Sequence, residues 1–323
     1  MSKTQRLIIK ILPVLLIFCL SYYTYTNYNA QKQFIQDFQE GFKHRNNLYL
    51  AIALVLMPLN WLIEIIRWQQ ISLVYNPISL KIASSHILAG NAISLFMPNR
   101  SGDYLGKLLL VEPAIQRQTI LASFISTISS WLAILLLGLI GFACIVNQYP
   151  QKLFVEPLLQ TFTLSLIALF FIVSLTVYFQ IPKLWYLIKK LKLTLKFKKY
   201  FMFTKKYTPR NLLKLLILAI LRVLIYSIQY IVIAYYFGIS ENFFNALAIV
   251  CAIFLLQTGI PMPPMIAFVS RGSIALLVWG LAGHSPTAIL ASTFSLWILN
   301  VLVPGIIGII GLFLFKTNHK NQI

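Results

Sequence analysis

Long apolar stretches separated by short polar segments make up most of this chain. A helix of about 20 apolar residues is long enough to cross the hydrocarbon core of a bilayer. The pattern predicts six such spans, at about residues 7–25, 48–68, 120–146, 158–179, 212–237 and 288–315. Segment 29–46 is polar but carries apolar residues at helical spacing, which predicts an amphipathic helix lying on the membrane surface.

Two further apolar regions are interrupted by residues that break helices. The first runs over 78–97 and 103–115 around a break at 98–102; the second runs over 243–258 and 265–281 around a break at 259–264. Proline lacks an N–H, and glycine costs about 1 kcal/mol relative to alanine in a helix. Each region therefore predicts a re-entrant helical hairpin, which a bilayer tolerates only where protein or a water-filled cavity shields the backbone.

The composition is that of an integral membrane protein. Hydrophobic residues make up 59%, charged residues 11%, and the mean hydropathy is +0.80. We therefore expect an all-α polytopic integral membrane protein with about six spanning helices and two re-entrant hairpins. It would form a single membrane domain over 1–323, with a first half at 1–150 and a second half at 151–323. No long polar segment is left for a separate soluble domain.

The net charge of +20 is concentrated in one segment. Eleven of the 27 basic residues lie within 183–214, where the sequence has no acidic residue. This is the pattern of a cytoplasmic loop under the positive-inside rule, and such a loop also attracts anionic membrane lipids. Nothing else in the sequence supports a nucleic-acid partner. We expect the N-terminus, this basic loop and the basic tail at 316–320 to face the cytoplasm of a cell membrane, inner or plasma.

This side assignment predicts an internal repeat. If neither hairpin crosses the membrane, each half has the order span, span, hairpin, span, and the two halves have opposite orientations. Inverted repeats whose broken helices meet near the midplane are a transporter architecture. The oligomeric state is left open by the sequence.

The charged residues of the hairpins are the candidate binding site. Arg100, Asp103 and Lys107 follow one another in the first hairpin, and Arg271 lies in the second. Ionisable groups at membrane depth are costly and usually face a substrate path or a water-filled cavity. Arginine binds phosphate oxygens in pairs, and lysine adds a compact charge. We expect these side chains to bind a phospholipid or lipid-phosphate headgroup, with Asp103 holding Arg100.

Simpler interpretations of the same residues remain open. The first break could be an interfacial loop whose charged side chains reach water, with Arg100 and Asp103 pairing only to close the hairpin. Glu64 and Arg67 are three apart on one helix face, which predicts a structural ion pair. The residues expected to support the site are Glu64, Arg67, His86, Asn91, Pro98 and Gly102.

The first break also carries a family resemblance. The run Pro98-Asn99-Arg100-Ser101-Gly102-Asp103, followed by Lys107, resembles the Pro-x-Arg-x-Gly-Glu-x-x-Arg pattern of the lysylphosphatidylglycerol synthase transmembrane region, also called the flippase-like domain family. Asp103 stands where that family usually has Glu, and Lys107 is offset from the usual Arg. The second break lacks the family's glycine-rich stretch and acid. The resemblance implies a lipid-handling membrane domain, here as a stand-alone member without the soluble synthase domain.

Three functional classes follow from these observations. The first is a lipid transporter that passes a headgroup between the two hairpins. The second is a membrane enzyme or accessory protein acting on a lipid-linked sugar or phosphate, and the third is a proton-coupled carrier using Glu64, Asp103 or His86. The sequence shows no familiar catalytic or metal-binding motif, so we assign no catalytic residue, metal or cofactor.

Overall fold

The computed structural model describes residues 46–97, 101–150, 156–183, 202–258 and 264–320. The predicted span at 7–25, the amphipathic segment 29–46 and the middle of the basic loop lie outside these ranges. Within them the chain is all-helical. The α-helices are α1 (Asn47–Ser72), α2 (Leu80–Ser94), α3 (Ser101–Leu108), α4 (Gln116–Gln148), α5 (Pro157–Phe179), α6 (Pro209–Tyr236), α7 (Phe243–Thr258), α8 (Pro264–Leu281), α9 (Pro286–Trp297) and α10 (Val303–Lys320).

Five apolar segments of the described chain are long enough to cross a membrane. They are α1, α4, α5, α6 and the continuous segment Pro286–Phe313. They correspond to the last five predicted spans. The protein is therefore a multi-pass helical membrane protein. Capping residues fix several helix starts: Asn46 accepts from the Leu48 N–H at 3.0 Å, and Thr208 precedes Pro209 at the start of α6.

The helix boundaries around the first break differ from the prediction in two respects. The helix after the break was expected to run to residue 115, but α3 ends at Leu108. Gly102 was expected to belong to the break, but it lies inside α3, which starts at Ser101. The break itself is shorter, and residues 98–100 are outside the described ranges. Because Gly102 has no side chain, α3 lies directly against the backbone of Ser94 at the end of α2. The glycine serves helix packing here and not helix termination.

Helices α1 and α6 pack together in opposite directions. At one end the rings of Tyr49 and Tyr235 are 5.8 Å apart. At the other end Lys214 Nζ donates to Gln70 Oε1 at 2.7 Å, so the end of α1 lies beside the start of α6. The two halves of the chain therefore contribute antiparallel helices to the centre of the molecule.

Glycines mediate two further helix contacts that mirror each other. In α4, Gly138 and Gly141 face α7, and a Cβ added to Gly141 would lie 2.5 Å from the Ala248 carbonyl oxygen. In α10, Gly305 and Gly308 face α2, with Gly308 against the Leu88 carbonyl. The last long helix of each half thus packs on the helix that precedes the break in the other half.

Each interrupted region folds as a helix pair whose two ends are close together. The first helix pair is α2–α3, and the second is α7–α8. Before and after the first pair, Tyr75 Oη donates to Thr119 Oγ1 at 3.3 Å. Before and after the second, His284 Nε2 lies 3.0 Å from Glu241 Oε2, within hydrogen-bonding distance. The chain therefore enters and leaves each helix pair at neighbouring points.

A π-helical turn, Ile298–Leu302, separates α9 from α10. Pro304 follows it and has no N–H to offer to the carbonyl four residues earlier. Such turns are rare and often occur at functional sites. This one places Asn300 and Val301 at the centre of the molecule.

Candidate functional site

A cavity of about 290 Å³ lies between the two halves of the chain. Helices α1, α2, α3, α4, α6, α7 and α8 and the π turn all contribute to its wall. We call it the central cavity. The charged residues in its lining are Glu64, Asp103, Arg222 and Arg271, and the amide residues are Asn60, Asn91, Gln257 and Asn300. Its aromatic residues include Trp61, Trp131 and Tyr226.

Glu64 is the centre of the best-connected charged group. Its carboxylate accepts from Arg67 Nη2 at 2.6 Å and from Arg67 Nε at 3.1 Å. On its other side, Arg222 Nη1 lies 3.1 Å from Glu64 Oε2. The contact between Glu64 and Arg67 confirms their predicted pairing. The contact with Arg222, a residue far away in the sequence, connects α1 to α6.

Arg67 lies behind the cavity wall, and its donors are used within the protein. Its Nη1 donates to the Ser126 carbonyl at 2.9 Å and to Ser129 Oγ at 2.8 Å. The residue is 1% exposed. Because these contacts join α1 to α4, Arg67 anchors the helices and also fixes the Glu64 carboxylate.

Asp103 and Lys107 form a second ion pair within α3. Lys107 Nζ is 2.7 Å from Asp103 Oδ2 and 4.0 Å from the centre of the Trp68 ring. Trp68 Nε1 donates to His86 Nδ1 at 3.3 Å. Asp103 borders the central cavity, whereas Lys107 is fully buried behind it. The ammonium group is stabilised by both the carboxylate and the aromatic ring.

Arg271 differs from the other three basic residues of this region. It is half-buried in α8 and lines the central cavity. Within the described part of the chain, no acidic side chain forms an ion pair with it. Its guanidinium group is therefore available to an anion that enters the cavity.

A network of amides forms the remaining polar wall. Asn60 donates to Asn300 at 3.0 Å, and Asn300 donates to Gln229 at 2.9 Å. Separately, Asn91 Nδ2 donates to the Val301 carbonyl at 3.4 Å. The π turn is thus tied to helices from both halves of the chain.

The structure brings part of the predicted site together. Glu64, Asn91, Asp103 and Arg271 line the central cavity, while Arg67, Lys107 and His86 lie behind its wall. Gly102 is a packing position in α3. Pro98 and Arg100 lie outside the described residues.

Sequence reasoning assigned no role to Arg222, Asn60 or Asn300. A signal existed for Arg222, because an arginine inside an apolar span is a functional-site candidate on energetic grounds alone. Asn60 and Asn300 carried no comparable signal, since single asparagines are common in membrane helices that pack on one another.

The charges around the central cavity do not balance. Among the described residues, four basic side chains, Arg67, Lys107, Arg222 and Arg271, lie in or behind its wall with two acidic ones, Glu64 and Asp103. This excess of two positive charges favours an anionic ligand. In the described ranges, no three His, Cys, Asp or Glu side chains lie together as a metal site would require.

The fold and this cavity define a multi-pass helical membrane protein with a polar, positively charged internal site. Compared with models of known protein families, with characterised proteins and with solved structures, the chain gives no match.

Proposed function

We propose that this protein is a membrane lipid transporter of the flippase-like type, which moves a phospholipid or lipid-linked phosphate headgroup through the central cavity. The observation that carries the proposal is a cavity with excess positive charge between two halves of a membrane protein. Such a cavity suits a charged headgroup whose acyl chains stay in the bilayer. The resemblance of the 98–107 region to the lysylphosphatidylglycerol synthase transmembrane region points in the same direction.

Arg222 and Arg271 are the proposed phosphate ligands, one from α6 and the other from α8. Both line the central cavity, and guanidinium groups bind phosphate oxygens in pairs. Arg100 stays a proposed ligand from the break before α3. Lys107 contributes positive charge from behind the wall and pairs with Asp103, which lies on the cavity side.

We infer that the two helix pairs are re-entrant and that the halves form an inverted repeat. Three observations support this inference. α1 and α6 are antiparallel, the glycine contacts of α4 with α7 and of α10 with α2 are reciprocal, and each helix pair begins and ends at neighbouring points. α3 has only eight residues, far fewer than the 20 or so that a membrane-spanning helix needs.

The proposed location is a cell membrane, with both termini and the 183–214 loop on the cytoplasmic side. The loop's basic residues would attract anionic lipid. A cysteine introduced at position 198 of a cysteine-free protein should react with membrane-impermeant reagents only after the cytoplasmic side is opened. Labelling from the outside of intact cells would contradict this orientation.

The described carboxylates of the central cavity favour binding over catalysis. Glu64 and Asp103 are both held in ion pairs, so neither is free to act as an acid or base in this state. An enzyme acting on a lipid-linked sugar or phosphate would change the covalent structure of its lipid. Mass spectrometry of the lipids recovered after transport would show such a change.

The test uses purified protein in vesicles that contain fluorescent phosphatidylglycerol in both leaflets. Vesicles with the native protein should expose inner-leaflet lipid to a chemical quencher, whereas protein-free vesicles should not. Arg222→Gln and Arg271→Gln should each reduce the rate at least tenfold, because each removes a phosphate ligand. The matched control is Arg117→Gln, at the exposed first turn of α4 and outside both the basic loop and the cavity lining, which should keep the native rate.

Protein folding is checked in the same samples by size-exclusion chromatography. Normal lipid movement in both cavity variants would remove the two arginines from the site. A native protein that moves no phosphate-bearing lipid would overturn the proposed function.

A further inference from the structure

A chain of three side-chain amides crosses the middle of the protein and ends at the central cavity. Gln229 Nε2 donates to the backbone carbonyl of Ala53 at 2.8 Å. Asn300 Nδ2 donates to Gln229 Oε1 at 2.9 Å, and Asn60 Nδ2 donates to Asn300 Oδ1 at 3.0 Å. All three amides are buried, and they connect α1, α6 and the π turn.

Backbone carbonyls fix the direction of this chain. A carbonyl can only accept, so Gln229 must turn its NH₂ group toward Ala53 and its oxygen toward Asn300. The NH₂ group of Asn300 is held by a second carbonyl, that of Leu296, at 3.2 Å. Asn300 Oδ1 therefore faces Asn60, and Asn60 must donate to it from its NH₂ group. The Asn60 Oδ1 atom is the last acceptor in this series of hydrogen-bonded amides.

This oxygen is buried and has no donor. Asn60 is 2% exposed and lines the central cavity, and no described residue donates to its Oδ1. Buried polar atoms in folded proteins nearly always have a partner, and leaving one without a partner destabilises the protein. An acceptor at a cavity wall that has no partner within the protein can accept a hydrogen bond from a ligand in the cavity.

The position of Asn60 relates this acceptor to the proposed phosphate ligands. Glu64 lies four residues further along α1, about 6 Å along the helix axis, and forms an ion pair with Arg222. A headgroup whose phosphate lies at Arg222 would therefore place its terminal group within reach of Asn60. A phosphate oxygen would be repelled there, since it can only meet the amide oxygen as a second acceptor.

We propose that Asn60 Oδ1 is a specificity site that accepts a hydrogen bond from an O–H or N–H group of the lipid headgroup. The inference rests on the proposed function and narrows its substrate class to phospholipids whose headgroup carries such a donor. The acceptor is neutral, so it takes hydroxyl and ammonium donors alike. A headgroup without a donor leaves the oxygen unpaired in the bound state and is bound more weakly.

The experiment measures competitive binding to the purified full chain by native mass spectrometry, with two matched pairs of lipids. Phosphatidylglycerol has hydroxyl donors, whereas phosphatidylethanol has the same charge and none. Phosphatidylethanolamine has an ammonium donor, whereas phosphatidylcholine has the same charge and no N–H. We expect the donor lipid to bind at least tenfold more tightly in at least one pair, and the responding pair identifies the donor.

Two substitutions test the residue itself. Leucine has a similar size to asparagine and no hydrogen-bond acceptor. In Asn60→Leu the ratio of the two affinities within the responding lipid pair should therefore fall close to one, while both lipids still bind. Asn60→Asp keeps an acceptor and adds negative charge, so it should raise binding of phosphatidylethanolamine relative to phosphatidylglycerol at least fivefold. Asn211→Leu, the same substitution at an exposed position of α6, should keep the native preference.

Equal binding within both pairs by the native protein would overturn the proposal, and so would an unchanged preference in Asn60→Leu. If Asn60→Leu does not fold, an unchanged lipid ratio in Asn60→Asp overturns it instead. Lipid movement is measured separately in vesicles with the same four lipids. If the native protein prefers donor lipids in binding but moves none of the four lipids, the acceptor site stands and the proposed transport function is overturned. If it binds and moves all four lipids equally, transport stands and the acceptor site is overturned.

Discussion

The two helix pairs occupy the same place in the order of elements of the two halves, but they are held together differently. In the first pair, Gly102 and Gly106 of α3 lie against the backbone of α2, and an ion pair joins the buried Lys107 to Asp103 at the cavity wall. In the second pair, the atoms nearest to a Cβ at Gly272 of α8 belong to side chains of α9, and Arg271 forms no ion pair with a described acid. The first pair is closely packed and internally neutralised, while the second presents an uncompensated charge.

This difference separates two roles that a charged residue can have inside a membrane protein. A lysine whose carboxylate partner lies one turn away, over an aromatic ring, contributes to structure. An arginine that is only half-buried and has no paired carboxylate among the described residues is available to a ligand. The proximity of a charge to the cavity is therefore a weaker guide to binding than the partners it already has.

The largest expected effect comes from the buried ion pair of the first helix pair. Lys107→Met leaves the Asp103 carboxylate without its partner, which should destabilise the protein by about 3 kcal/mol, as for other broken buried pairs. Arg271→Met in the second helix pair should cost less than about 1 kcal/mol, because it breaks no ion pair with a described acid. Denaturant unfolding in detergent, followed by tryptophan fluorescence, measures both.

The control for this prediction removes both charges together. Asp103→Leu combined with Lys107→Met should recover most of the lost stability, since no uncompensated charge is left. If Lys107→Met and Arg271→Met lower the free energy of unfolding equally, the charged residues of the two helix pairs contribute equally to stability and the proposed difference is wrong.

The second effect concerns the glycines and should be somewhat smaller. A Cβ at position 106 would overlap the Ala89 carbonyl, which belongs to the backbone and cannot move aside. Gly106→Ala should therefore destabilise the protein by about 2 kcal/mol, typical of overpacking. At position 272 the nearest atom is Leu290 Cδ2 at 3.1 Å, a flexible side-chain end, so Gly272→Ala should cost less than about 1 kcal/mol.

Gly280 of α8 provides the matched control. Nothing lies within 4 Å of a Cβ built there, so Gly280→Ala should be neutral or gain up to about 1 kcal/mol of helix propensity. Thermal unfolding of the three variants ranks them directly. A Gly272→Ala variant less stable than Gly106→Ala would reverse the assignment of the tighter helix pair.

The smallest effect is at the loops that flank the second helix pair. Burial alone would raise the pKa of Glu241, but hydrogen bonds to its carboxylate, including the contact with His284, outweigh burial and lower that pKa below its ordinary value of 4.5. The carboxylate then stabilises the folded protein above that ordinary value, and this contribution is lost as the pH falls through the lowered pKa.

Glu241→Gln removes the carboxylate and should lower the melting temperature at pH 7 by a few degrees. The native protein should lose this advantage in acid, so the two melting curves should converge as the pH falls below 4.5. A constant difference between the two proteins from pH 7 to pH 3 would show that the contact does not depend on the charge of Glu241.

Local sequence features determined much of the helical architecture. The bilayer requires runs of about 20 apolar residues, so the last five spans were visible from hydropathy alone. Helix α7 has the bounds that the apolar run 243–258 predicted. The pair Glu64–Arg67 was also predictable, because residues three apart on a helix share a face.

Contacts between distant segments were decided by the tertiary structure. Asn60 and Asn300 are 240 positions apart, and Glu64 meets Arg222 across two helices. Even the place of Gly102 within α3 follows from its packing on α2, against the local preference of glycine for breaks. The helical period reports which residues share a face. Which faces meet depends on how closely the backbones approach, and here glycines and the π turn set that approach. The sequence by itself thus determined the spans and the ion pair within a helix turn, and the packing of the helices decided which charges have partners and which face the cavity.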